Sequence, residues 1–218
     1  MDIFAAIAAG DEDSALAALD ERPDPGRHES GPTPVLYALY HRHAGLARRL
    51  ASRLGVLDLA EAAALDEADR VAEVLDAGGA VDGRTPDGFT PLHLAAFFGA
   101  PRAAAVLLER GADPVAVADN PMRIQALHAA AAGRHLEIAA LLIAAGADVD
   151  ARQQGGYTPL LAVAGNGDTE LARLLLRAGA DPGKANDEGV RPAQLAAERG
   201  HTTLAEELEA AAALKPAG

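Results

Sequence analysis

The chain has 218 residues, half of them hydrophobic, yet aromatics make up only 3% and Trp is absent; an apolar content rich in Ala buries little area per residue and suits thin layers of short helices better than one thick globule. Nineteen Lys and Arg against 32 Asp and Glu leave a formal charge of −13, which argues against a nucleic-acid partner held through phosphates and for a basic protein. With no Cys in the chain, disulfides, thiolate metal sites and a Cys nucleophile are excluded, in keeping with a reducing, cytoplasmic setting.

The first residues, "MDIFAAIAAGDED", carry an acid where an export signal has its positive region, so no signal is read there. No stretch reaches the roughly 18 to 20 apolar residues of a membrane span. "HRH", with His41 and His43 at i and i+2, sends two imidazoles in diverging directions on a helix, which is poor metal geometry. "GDED" and "DVD" (Asp148 to Asp150) lack the further oxygen ligands of a calcium loop. No nucleophile elbow and no phosphate-binding glycine loop occurs, so no catalytic residue, cofactor or metal is expected.

From Leu75 onward the chain repeats itself. "LDAGGA", "LERGAD", "IAAGAD" and "LRAGAD" place a Gly at 78, 111, 146 and 179, at intervals of 33, 35 and 33 residues. Each is followed by a second shared element: "TPLHLAA" from Thr90, "QALHAAA" from Gln125, "TPLLAVA" from Thr158 and "RPAQLAA" from Arg191. Thr then Pro opens a helix, because the hydroxyl accepts from orphan amides and Pro has no N–H to lose in the first turn. A short Ala-rich helix and a turn at Gly99, Gly167 or Gly200 follow, then a second helix with an apolar stripe such as Leu171, Leu174 and Leu175. Turn formers, "DGRTPDG" (Asp82 to Gly88) and "QQGG" (Gln153 to Gly156), fill the gap to the next unit.

On these residues the sequence resembles the ankyrin-repeat family, whose unit is a hairpin followed by two antiparallel helices over about 33 residues. The match is strongest from Gly83 to Gly183 and extends outward to seven approximate units, 1–24, 25–54, 55–82, 83–115, 116–150, 151–183 and 184–213, in a single domain 1–218 with a frayed tail at 214–218. The implied fold is an all-α solenoid with short β-hairpin protrusions, in which stacked second helices form one continuous core. Three departures stand out. Gly111 to Leu127 spans 16 residues where Gly146 to Leu160 spans 14, so the hairpin around Met122 is two residues longer. In that unit Ala126 replaces Pro and Arg134 replaces the turn Gly. Between Leu54 and Leu59 there is room only for a tight link, at which the stack bends.

The resemblance implies a monomeric protein-binding module without enzymatic activity. His93 and His128 are then structural ties between hairpins, and the residues facing the concave groove are those before Thr-Pro and before the turn Gly. The partner-binding set expected on that surface is Tyr40, His41, Asp87, Phe89, Phe97, Met122, Ile124, Tyr157 and Glu188, with Asp119 among the steering acids, whereas Tyr37 and Phe98 fill gaps between repeats. The rival readings are a small-molecule protein or enzyme using the groove, with His41 and His43, and an inhibitor or immunity-type protein covering a basic toxin or nuclease.

Overall fold

The computed structural model describes residues 2–22, 24–29 and 31–214; most of the frayed tail expected at 214–218 lies outside the described residues. Among these, fourteen α-helices follow one another in seven pairs: α1 (Ile3–Ala9) and α2 (Glu12–Glu21), α3 (Pro34–Tyr40) and α4 (Ala44–Leu54), α5 (Leu59–Ala64) and α6 (Ala68–Asp76), α7 (Pro91–Phe98) and α8 (Pro101–Glu109), α9 (Ala126–Gly133) and α10 (Leu136–Ala144), α11 (Pro159–Asn166) and α12 (Thr169–Arg177), α13 (Pro192–Glu198) and α14 (Thr202–Leu214). The chain is an all-helical solenoid: the two helices of each pair pack together, and the first helices pack in sequence from α1 to α13.

Local chemistry sets where these helices start. Thr33, Thr90 and Thr158 each accept from the amide three residues on, with Pro in the first turn. The pair without Thr-Pro has another device: the Asp58 carboxylate accepts from Glu61 N at 2.8 Å, while Glu61 accepts from Asp58 N at 2.9 Å, a reciprocal cap. Glu61 is 5% exposed, and burial raises its pKa above the usual carboxylate value.

Two expectations are corrected. The protrusions contain no strand among the described residues. Each turn is closed by a backbone bond, Thr85 N to Phe89 O, Ala118 N to Ile124 O, Gln153 N to Tyr157 O or Asn186 N to Val190 O, and in three of the four the same residue's carbonyl accepts a second inside it, as from Gly88 N to Thr85 O. One further bond joins it to the next, as from Asp119 N to Gly88 O at 2.9 Å, and single bonds do not make a ladder. A side chain at Gly88 would collide with that Asp119 carbonyl. The bond spanning Ala118 to Ile124 encloses two more residues than its counterparts, and the extra length carries Met122.

Nor is the core continuous. One buried cluster runs from Ala62 and Val71 to Leu208; the other gathers α1 to α4 with Ala60, Ala64, Leu65 and Leu94. They meet at α5 and at Leu57, which packs against both, where the link 55–58 brings no hairpin of its own. The loop before α3 takes its place: Gly31 lies so close to Pro86 that a Cβ there would stand 2.7 Å from the proline ring. Seven of the eight described ion pairs, from Arg27–Asp58 to Arg173–Glu207, join residues 31 to 37 apart. They tie neighbouring pairs along an exposed surface, where each contributes little alone.

Candidate functional site

From the last turn of α3 to the loop before α7, Tyr40 Oη donates to Asp87 Oδ2 at 2.7 Å across 47 residues. This bond closes one side of a cup of about 360 Å³ lined by Tyr40, Asp87, Phe89, His93, Leu94, Phe97, Met122 and Ile124, and the surface facing its interior is almost wholly apolar. Phe97 and Met122 are 52% and 47% exposed, so two of the few large hydrophobic side chains left in water share one wall. Phe89 and Phe98 are half-buried and pack against the N-terminal cluster. Phe98 sits between the rings of Tyr40 and Phe97, at 5.7 and 5.0 Å.

The floor is rigid and uncharged. His93 Nε2 donates to Ile124 O at 3.0 Å, and its Nδ1 accepts from Thr90 Oγ1 at 2.7 Å. With burial as the main cause, its pKa falls below the ordinary value, which keeps the ring neutral in this tautomer. His128 repeats the arrangement one pair on, with Nε2 on Ala151 O at 3.0 Å and a pKa also lowered by burial. The Tyr40 hydroxyl is pushed the other way, first by burial and then by Asp87, so it stays a donor. Asn120 Nδ2 donates to the Asp87 carbonyl at 3.0 Å and fixes the loop beneath it.

Six of the nine residues expected to bind a partner, Tyr40, Asp87, Phe89, Phe97, Met122 and Ile124, come together in this cup. The other three do not. His41 is exposed and lies against Tyr37, with ring centres 4.5 Å apart. Tyr157 is half-buried beside His128, and Glu188 is exposed at the turn before α13. Asp119 is exposed, with its amide bonded to Gly88. His43 lies against Gly10 and His41 against Tyr37, and among the described residues no three His, Asp or Glu gather as a metal site would require.

Beside the cup, across Tyr40 and Phe97, lies a more open notch of about 660 Å³, bounded by Leu39, Phe98, Arg42 and Arg48. Sequence reasoning missed both arginines. The signal was available for one of them: Arg42 occupies the turn position held by Gly in "AAFFG" and "AGNG".

Stacked helix pairs with histidine-tied loops define a repeat protein. A family model described as ankyrin repeats matches residues 3–118 and 127–213, and the chain belongs to the ankyrin-repeat family. Over 95 residues, 42% of its length, it is 43% identical to human neurogenic locus notch homolog protein 4. The matched stretch is 4% of that protein. Ankyrin repeats are in general protein–protein interaction modules and typically not enzymes. Among the described residues no helix is long and apolar enough to cross a membrane.

Proposed function

We propose that the chain is a monomeric, cytoplasmic protein-interaction module, each helix pair one repeat of a single domain, that seats a protein partner on its concave face with the cup as anchor. The observation that supports this most is the convergence of exposed Phe97 and Met122 on one apolar cavity. Apolar surface left in water at one place is usually a contact surface, and aromatic anchors filling such pockets dominate interface energetics. The charge of −13 steers basic protein surfaces toward it and nucleic acid away.

Affinity capture on the wild-type chain and on Phe97→Ala side by side, read by mass spectrometry, tests the reading. Proteins retained by the first and lost from the second are the expected result; identical sets on both would overturn it. The size of the cup favours a second reading, since about 360 Å³ falls within the range of small-molecule sites. A compound library that raises the melting temperature of wild type and not of Phe97→Ala would decide for that alternative.

A further inference from the structure

The turn joining the two helices of each pair holds one residue in the left-handed region: Gly10, Arg42, Asp66, Gly99, Arg134, Gly167 and Gly200. At four of these seven turns the residue is Gly, which suits the conformation; a residue with a Cβ is strained there. At two of the three exceptions the side chain compensates. The Asp66 carboxylate accepts from Ala103 N at 2.8 Å, in the first turn of α8, and Arg134 Nε donates to Asp168 Oδ2 at 3.2 Å, the carboxylate that caps α12. Each ties its turn to the next helix pair.

Arg42 is different. At φ 65° it bears the same strain, yet its guanidinium has no hydrogen-bond or ion-pair partner among the described residues, and neither has that of Arg48. Both are exposed, and both line the notch that continues the cup beyond Tyr40 and Phe97. In a chain with 13 more acids than bases, two unpaired cations on one aromatic-walled notch reverse the local charge. Arg48 also lines the next concavity together with Glu67, with which it forms no ion pair, and Arg70 there is already engaged with Leu57 O and Glu73. Strain kept at a position without an internal return points to an external one.

We propose that Arg42 and Arg48 form a carboxylate-binding subsite next to the cup, so that the partner segment carries a large uncharged side chain for the cup and an Asp or Glu for the arginines. The proposal rests on the concave-face reading above. The chemistry follows from the two linings. The cup offers almost no polar surface to a charged group, and burying a charge there without a partner is costly. A planar guanidinium matches a carboxylate in two parallel hydrogen bonds, and such charge-assisted pairs are the stronger ones. The net negative charge acts at long range on the partner as a whole, whereas the subsite acts at contact.

A phage-displayed random dodecapeptide library panned in parallel on the full-length wild-type chain, Arg42→Gly and Phe97→Ala tests this. Wild type is expected to enrich sequences that pair a large apolar residue with Asp or Glu at constant spacing; Arg42→Gly keeps the apolar residue and loses the acid. The best wild-type peptide, made synthetically, should bind Arg42→Gly at least about tenfold more weakly, the size of a lost hydrogen bond to a charged group. The melting temperature of Arg42→Gly should not fall, because Gly relieves the left-handed strain; a structural arginine would lower it. Recovery of the same acidic sequences on Arg42→Gly, or of sequences without acids on wild type, overturns the subsite and leaves the concave-face reading standing. Equal enrichment on Phe97→Ala and wild type, or none on either, overturns both.

Discussion

Tyr40, at the last turn of α3, donates its hydroxyl to the carboxylate of Asp87, in the loop before α7, and so joins the second helix pair to the fourth. The short link 55–58 makes this reach possible, since no hairpin stands in front of α5 and the loop at Gly31 rests directly on Pro86. Tyr40→Phe keeps the ring between cup and notch and removes only the bond. The expected cost is about 1 kcal/mol, because Asp87 is half-buried and regains water. A urea midpoint identical to wild type would show that the bond does not hold the two pairs together.

Phe97→Ala and Phe89→Ala should separate. The Phe97 ring is 52% exposed and contributes little to the core, so its loss should cost under about 1 kcal/mol of stability, the usual range for surface substitutions, while weakening partner binding by about 2 kcal/mol or more. Phe89 lines the cup and also packs on the N-terminal cluster. Its truncation should lower both, with a stability loss below the ~3 to 5 kcal/mol of a fully buried Phe. One denaturation curve and one binding isotherm per variant distinguish a contact residue from one that also supports the wall.

Much of this site was legible in the sequence, for physical reasons that also mark the limits. Phe89, Ile124 and Met122 were found because they hold fixed places relative to Thr-Pro or to a loop visibly two residues too long. Closure of the cup by Tyr40 and Asp87 was not, since it depends on one loop passing over a missing one, and no local pattern encodes a contact between residues 47 apart. The cap on α5 is written as Asp-x-x-Glu, a start signal of different chemistry from the Thr-Pro of the central repeats. The turns read as hairpins because their Gly and Asp residues are those of hairpins; what the sequence does not show is how many ladder bonds follow.

Stability should fall as the pH drops below neutrality. Burial lowers the folded-state pKa of His93 and His128 below the ordinary 6.5, so between that folded value and 6.5 the unfolded chain binds more protons. Their contribution is complete above 6.5 and is lost as pH falls below it. Glu61 acts with the opposite sign: its raised pKa means that the folded chain holds a proton the unfolded one has released, and protonation stabilises the fold as pH falls toward 4.5. Urea midpoints should decline as the pH falls from 7.5, and the decline toward pH 4.5 should be steeper on Glu61→Gln, which lacks the opposing carboxyl, than on wild type. A flat profile for that variant would place the imidazoles in water.

The α9 start offers the clearest gain in stability. Gln125 stands where Thr90 and Thr158 cap their helices. Its backbone N–H donates to His128 Nδ1 at 3.2 Å, but its side-chain Oε1 is buried with no partner among the described residues. An unsatisfied buried carbonyl costs about 1 to 3 kcal/mol, and the missing cap withholds about 1 kcal/mol more. Gln125→Thr removes the first and supplies the second, as Thr158 does for Leu161 N at 3.3 Å. Ala126→Pro adds to it, because Gln125 already has φ −103° and ψ 165°, the extended conformation a residue before Pro requires, and the first helical turn has no amide bond to lose. The double variant should melt several degrees above wild type with unchanged binding at the cup, since Ile124 O keeps its bond from His93. A lower melting temperature for Gln125→Thr alone would show that the Gln side chain fills space a Thr leaves empty.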